Sequence, residues 1–282
     1  MSPELKIALI ILAIVSALAL IISLGVIYMI APGKRRKEME KYKKVKFAHR
    51  GLHGYTVAEN SLTAFLEAKK MGYGIELDVQ LSRDGQLVVF HDATLNRVCG
   101  IDGRVKDFTV EELQKMRLSE GSDTIPTYKE VLSRINESVP LLIEIKMDAG
   151  ESGIAERFIE EIADYHGDYI VESFNPLALR TVRAARPDIL RGILSMDYMK
   201  EEKYRGKLTY RLLKSLLLNF LMRPDFIAYD KSDYKNTALR FIRRAFGTPL
   251  FAWTVKSPEE EAMAISRGFD SVIFEDYYPT KS

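Results

Sequence analysis

Between residues 46 and 274, apolar runs of strand length alternate with longer amphipathic stretches, and several runs stop on polar clusters: His49-Arg50-Gly51, Glu76-Leu77-Asp78, His91-Asp92 and Glu144-Ile145-Lys146. The alternation predicts a parallel sheet with helices outside it. Reactive residues at the ends of buried strands are what an α/β barrel uses to build its active site. The strands are expected at 46–49, 74–80, 87–91, 141–146, 169–173, 189–194, 226–229, 250–255 and 271–274. That is one more than a barrel of eight requires. The turn Arg83-Asp84-Gly85 leaves no room for a crossover helix, so the second and third runs pair as neighbours or one of the nine is peripheral.

The front of the chain has a different character. No charged side chain occurs from Ile7 to Gly33, and the stretch from Ile7 to Ile30 would make a helix of roughly 36 Å, enough to cross a hydrocarbon core of about 30 Å. A cleaved signal peptide is the competing reading, but the run exceeds an h-region of about 7 to 15 residues, and only Lys6 is basic ahead of it. The expected organisation is a transmembrane anchor at 1–33, a basic juxtamembrane linker at 34–44 and a barrel at 45–282, with a small polar insertion at about 100–126. Lys34, Arg35, Arg36, Lys37, Lys41, Lys43, Lys44 and Lys46 crowd behind the anchor. Such a cluster stays on the cytoplasmic side, so the expected location is the cell membrane, single-pass, with the barrel in the cytoplasm. Glu38 and Glu40 interleave with it, as in a solvated helical linker that anionic lipid also attracts.

The formal net charge of +2 hides that local excess, and the remainder is close to balanced, which does not suggest nucleic acid. Cys99 is the only cysteine, so no intrachain disulfide forms. In the stretch from Tyr204 to Met222, Leu208, Leu212, Leu216 and Phe220 share a stripe beside Arg205, Lys207, Arg211 and Lys214. It reads as an outer barrel helix or as an interfacial one.

Within a strand alternate side chains share a face, so Glu76 projects with Asp78 and Glu144 with Lys146, while Leu77, Val79, Ile143 and Ile145 turn toward the helices. Three carboxylates then converge from two strands. Oxygen donors without cysteine favour one hard divalent cation, Mg²⁺ or Ca²⁺, over zinc. His49 and His91 each end an apolar run, and imidazoles that titrate near neutrality suit a proton donor and a proton acceptor. Arg50 has the fork of donors that grips a phosphate.

In order and spacing, His49-Arg50-Gly51, Ala58-Glu59-Asn60-Ser61, Glu76-Leu77-Asp78 and Asp84-Gly85 through Val89-Phe90-His91-Asp92 resemble the glycerophosphodiester phosphodiesterase family. Glu144-Ile145-Lys146 and Trp253-Thr254-Val255 extend the likeness over about residues 45 to 278. The resemblance implies a TIM (β/α)8 barrel, here behind one N-terminal transmembrane helix, one divalent cation, and hydrolysis of glycerophosphodiesters to glycerol 3-phosphate and an alcohol. It implies His49 and His91 as the catalytic pair, and Glu76, Asp78 and Glu144 as metal ligands. It further implies Arg50 and Lys146 as phosphate-facing cations, Trp253 as the border of the glycerol pocket, Glu59 as an acid near the metal and Asn60 as the residue that orients the first-strand loop. Ala58 stands where proline is usual. His53 and Tyr55 match no family role and are expected on a surface loop at the mouth.

The expected reaction is attack on phosphorus by the substrate's 2-hydroxyl or by a water at the metal, one histidine taking a proton and the other protonating the leaving oxygen. Expected partners are a small phosphodiester or a lysophospholipid, and membrane lipid through the N-terminal helix. A phosphoinositide phospholipase C, a lysophospholipase D and a non-catalytic phosphodiester-binding barrel are the alternatives.

Overall fold

Eight of the nine apolar runs close into a ring. The computed structural model describes residues 1–119, 121–148 and 150–280. Its strands are β1 (Lys46–Ala48), β2 (Gly74–Leu81), β3 (Leu87–Val89), β4 (Leu141–Ile145), β5 (Tyr169–Ser173), β6 (Arg191–Ser195), β7 (Phe226–Asp230), β8 (Leu250–Val255) and β9 (Ser271–Phe274). All but β3 run parallel, and β1 pairs with both β2 and β9, which closes the barrel. The surplus run, β3, lies antiparallel on β2, with Val89 opposite Val79, outside the ring. The fold is a TIM barrel preceded by a long apolar helix.

The helices are α1 (Pro3–Ile30), α2 (Arg36–Met39), α3 (Leu62–Lys70), α4 (Asn96–Cys99), α5 (Val110–Leu113), α6 (Tyr128–Ile135), α7 (Ile154–Glu161), α8 (Pro176–Ala185), α9 (Leu208–Lys214), α10 (Asn219–Met222), α11 (Thr237–Phe246) and α12 (Pro258–Ser266). Their starts are set by local chemistry. Ser61, Asn175 and Ser257 cap α3, α8 and α12 by accepting from Ala64, Leu177 and Glu260 N–H, and prolines open α8 and α12. Leu77, Val79, Ile143 and Ile145 are buried between strands and helices, as the alternation requires.

Residues 100–126 form no strand but wrap β3 with short helical turns. Val98, Val105, Leu113, Leu118 and Ile125 bury a small core of their own against Val88 and Phe90. Cys99 packs beside it, and burial pushes its thiol pKa up to about 11, so it is no nucleophile at neutral pH. The stripe expected as one helix from Tyr204 to Met222 is broken. α9 and α10 are separate pieces, Leu216 between them has φ +55°, and Leu213, Leu216 and Met222 are buried while Leu208 is exposed.

The largest departure from expectation lies at residues 34–44, which pack as the barrel's floor. Here the floor is the end where the strands begin, and the mouth is the end where they finish. Met39 and Tyr42 are buried against Phe47, Leu142, Ile170, Leu190, Phe226 and Phe251. Arg35 donates to Asp188 and Ile189 carbonyls and pairs with Asp225 at 2.5 Å, and Lys41 and Lys46 pair with Asp168 and Glu261. A charge-rich sequence hides the two apolar side chains that seal the interior. Met39→Ala is therefore expected to destabilise the barrel by about 2–5 kcal/mol, whereas Lys37→Ala should change stability by less than about 0.5 kcal/mol. Chemical denaturation of the two variants distinguishes a floor from a linker.

α1 is long and apolar enough to cross a membrane. Its carboxyl end is fixed to the barrel. Asn219 donates to Ile30 O at 3.0 Å, Arg223 donates to Tyr28 and Ala31 carbonyls, and the Arg223 guanidinium lies 4.4 Å from the centre of the Tyr28 ring.

Candidate active site

Along β4 and β5 the inward face changes character on the way up: Leu142 and Ile170 belong to the buried interior, and two residues on stand Glu144 and Glu172. Glu144 is level with Asp78 on β2, and Glu172 is level with Glu144. Glu76, Asp78 and Glu144 are buried and each offers an oxygen within 4.8 Å of the others'. Glu172 is also buried, and its Oε2 has no hydrogen-bond partner.

Burial raises the Glu76 carboxyl pKa well above the ordinary range, helped by the charges of Asp78, Glu144 and Glu172. Burial, with Asp78 beside it, likewise lifts Glu144 to about 7 against the pull of Lys146. For Asp78 the cost of burial is outweighed by Lys146, His91 and Arg50, which hold it well below its usual value. Lys146 Nζ lies 3.0 Å from Asp78 Oδ1 and 2.8 Å from Glu144 Oε2. Two carboxyls pushed up chiefly by burial, beside one held ionised, make a set of oxygen donors that fits a hard divalent cation.

The first-strand loop folds back over this cluster. Arg50 and Asn60 both adopt left-handed φ, near +56° and +54°. Gly51 sits so close to α3 that a Cβ would come within 2.8 Å of Ala64. The turn delivers Arg50 N–H to Glu76 Oε2 at 2.8 Å, and Asn60 Nδ2 to Asp78 Oδ2 at 2.8 Å. The Arg50 side chain donates to Glu59 at 2.8 Å. Asn60 Oδ1 also accepts from Asp78 N–H at 3.3 Å, while Glu59 meets two arginines, Arg50 and Arg97, rather than the carboxylate cluster. Ala58 is buried without disturbing the turn.

Each histidine is held by a carboxylate. His49 Nδ1 lies 2.5 Å from Glu275 Oε2, and His91 Nδ1 lies 2.6 Å from Asp92 Oδ1. With Nδ1 donating, each ring keeps Nε2 for a ligand. Burial lowers both imidazole pKa values despite these acceptors, so both rings rest neutral. Arg97 locks Asp92 at 2.6 Å and ties it to Glu59. His53 was expected on an open surface loop; instead its Nε2 lies 3.8 Å from Glu275, partly buried. His49, His53 and Glu275 bring metal-type donors together as well, with the Lys256 ammonium on the same carboxylate.

A cleft of about 390 Å³ opens beside His91 and Lys146 and is lined further by Gln80, Arg83, Arg104 and Lys106. The insertion supplies its last two cations, each paired with an acid, Arg104 with Asp148 and Lys106 with Glu151. Trp253, on β8, packs edge-on to Phe174 at 5.5 Å, and its Nε1 has no hydrogen-bond partner. Glu172, Glu275 and the Asp92–Arg97 pair escaped the sequence reading. Glu275 and Glu172 carry the same signal as the others, a carboxylate at or near the end of an apolar run.

Two carboxylate-held histidines, a buried acidic trio and several cations thus gather at one end of a β/α barrel. Residues 49–277 match the Glycerophosphoryl diester phosphodiesterase family, and the chain belongs to it. It is 33% identical over 247 residues to a glycerophosphodiester phosphodiesterase of Caldanaerobacter subterraneus subsp. tengcongensis, covering 83% of this chain and 95% of that one. Among solved structures it resembles an Oleispira antarctica phosphodiesterase in complex with the product sn-glycerol-3-phosphate, with TM-score 0.69, 25% identity and coverage of 84% and 94%. It also resembles a Thermotoga maritima glycerophosphodiester phosphodiesterase, with TM-score 0.61, 31% identity and coverage of 82% and 94%.

Proposed function

We propose that the protein hydrolyses glycerophosphodiesters to glycerol 3-phosphate and an alcohol by two-histidine acid–base catalysis. The observation that carries this is the pairing of His49 with Glu275 and His91 with Asp92 on either side of the Glu76–Asp78–Glu144 cluster. Mg²⁺ or Ca²⁺ held by those three carboxylates would supply Lewis-acid charge to the phosphate oxygens. Arg50 and Lys146 hold the phosphate oxygens by charge and hydrogen bonds. One imidazole Nε2 accepts the proton of the attacking hydroxyl as the new P–O bond forms: with water this gives glycerol 3-phosphate directly, and with the substrate's own 2-hydroxyl it gives a cyclic phosphate that a water must then open. The other donates a proton to the departing alcohol oxygen as the old P–O bond breaks. An anion against a neutral ring raises that ring's proton affinity, so substrate binding itself protonates the acid. Trp253 and Phe174 form the apolar border against which the glycerol moiety lies.

The test is release of glycerol 3-phosphate from glycerophosphocholine by the full chain, with and without chelator. Release that stops on chelation and returns with Mg²⁺ or Ca²⁺ supports the reading; release indifferent to chelator removes the cation from it. We read α1 as a single membrane span, with the barrel in the cytoplasm as the basic cluster behind the span demands. Protease reaching the barrel from outside intact cells would overturn that topology. A second reading, lysophospholipase D, is favoured by one feature: α1 lies along the barrel wall, where Ile22, Val26 and Ile27 share an apolar groove with Leu217 and Phe241. Turnover of lysophosphatidylcholine faster than glycerophosphocholine would select it.

A further inference from the structure

The course of α1 along the wall fixes which way the barrel faces. Its last turn is tied at floor level, where Gly33 N donates to Pro224 O at 2.7 Å just before β7 begins, and Arg35 pairs with Asp225. Eight residues earlier, Ile22 and Ser23 line the same groove as Asp233, Lys235 and Asn236, which follow the far end of β7. Traced backwards, α1 therefore climbs from floor to mouth and leaves the barrel on the mouth side. Past it the uncharged residues 7–21 extend for about 22 Å at 1.5 Å per residue, and Glu4 and Lys6 beyond them reach the far head-group layer across a hydrocarbon core of roughly 30 Å. The bilayer then begins where the barrel mouth ends.

The rim at that end is built for an interface. Leu208, 68% exposed, and Leu177, 51% exposed, stand in the first turns after β6 and β5, and Tyr55 is fully exposed on the loop after β1. From 198 to 214 the chain carries six basic side chains against two acidic ones, together with the half-buried Tyr204 and Tyr210, which pack on the buried Tyr198. The Tyr204 and Tyr210 rings are 4.2 Å apart, with Lys203 and Lys207 over them at 4.6 and 5.8 Å. Arg205, Lys207 and Arg211 are exposed and, among the described residues, pair with no carboxylate. Tyrosines and long cationic side chains beside exposed leucines suit the head-group layer. At the floor Arg35, Lys41 and Lys46 are engaged by Asp225, Asp168 and Glu261, while Lys34, Arg36, Lys37 and Lys44 are exposed but, among the described residues, have no tyrosines or exposed leucines beside them like those at the mouth.

We propose that the barrel stands mouth-down on the bilayer, with the segment between β6 and α9 as a docking surface for anionic lipid head groups. The active site then opens toward the membrane and takes its phosphodiester from the lipid surface. The orientation rests on reading α1 as a membrane span.

The test uses the full chain with Cys99→Ser and single cysteines at Leu12, Leu177, Leu208 and Met71, the last at the floor end of α3. Each cysteine carries an environment-sensitive fluorophore, in vesicles of phosphatidylcholine and phosphatidylglycerol that contain a nitroxide lipid. Quenching at 12, 177 and 208 with little at 71 is the expected result. Adding Lys207→Gln or Arg211→Gln to the 208 label should lower the ratio of docked to undocked barrel about fivefold each. Quenching at 71 as strong as at 208 would mean the floor faces the lipid, and quenching at 12 alone would mean the barrel hangs free; either overturns the proposal. An unquenched label at 12 removes the anchor and the orientation with it, while leaving glycerophosphocholine hydrolysis untouched. Unchanged docking in the glutamine variants would sink the assignment to anionic lipid.

Discussion

His91→Ala is expected to lower kcat for glycerol 3-phosphate release by about 10²–10⁴-fold, the range one general acid or base supplies. KM should move far less if, as proposed, Arg50 and Lys146 hold the phosphate, since Arg50 is positioned by Glu59 and Lys146 by Glu144 rather than by a hydrogen bond to the His91 ring. The partners allow a sharper contrast. Glu275 acts through His49, with Nδ1 to Oε2 at 2.5 Å, so Glu275→Gln keeps the shape but removes the charge that supports an imidazolium. That variant should lose about a hundredfold in kcat and shift the pH at which the remaining activity is half-maximal. A purely structural role for Glu275 would lower the melting temperature and leave the pH profile in place. Steady-state kinetics across pH with glycerophosphocholine separates the two, and wild-type kcat in His91→Ala would remove that residue from the chemistry.

Which parts of this site were legible follows from where the constraint lies. His49, Glu76, Asp78, His91 and Glu144 each interrupt or terminate an apolar run, a local contradiction visible in one dimension; strands of period two aim the three carboxylates inward, while His49 and His91 lie just past the ends of β1 and of the outlying β3. Glu172 sits in an apolar run of the same kind, yet only the register that sets it level with Glu144 shows that it joins the acidic cluster. Asp92 binds His91 beside it in sequence, but what fixes Asp92 is Arg97, reaching Glu59 from 38 positions away. The floor was hidden for a different reason: Met39 and Tyr42 lie among lysines and glutamates, and a solvated linker and a capped barrel end share that composition. Nine runs are one too many for a barrel, and the sequence leaves open whether the second and third pair or one of the nine is peripheral; the antiparallel pairing of β3 on β2, outside the ring, makes both true. The helix expected from Tyr204 to Met222 failed where Leu216 turns left-handed, since a stripe that repeats every four residues does not reveal a break within it.

Metal-free protein should lose stability as pH rises, and a divalent cation should abolish the loss. Burial and the neighbouring Asp78 raise the Glu144 carboxyl to about 7 in the fold. A carboxyl with a higher pKa folded than unfolded keeps its proton longer in the native state, so the native state is penalised as pH climbs from the unfolded value, about 4.3, through 7, and the penalty is constant above. A shift of that size corresponds to about 3 kcal/mol, or roughly 10 °C in melting temperature for a domain of this length. Glu76, raised by burial and by Asp78, Glu144 and Glu172, pushes in the same direction. A cation among these oxygens stabilises their ionised forms. Above about pH 6.5 the buried imidazoles, whose pKa burial lowers, add no slope of their own. With Mg²⁺ or Ca²⁺ in excess the curve between about pH 6.5 and 8 should therefore flatten, by mass action on the folded state alone. Glu144→Gln should flatten the metal-free curve as well, because it removes the titrating group without emptying the site of side-chain volume. Melting curves that fall with pH equally in chelator and in cation would show that the three carboxylates do not hold a metal; a curve flat in both would show that Glu144 is ionised throughout, neutralised by Lys146 at 2.8 Å. The separation of the two curves therefore tests the metal site without reference to turnover, and its size at pH 7 reports how much of the acidic repulsion at the barrel mouth the cation relieves.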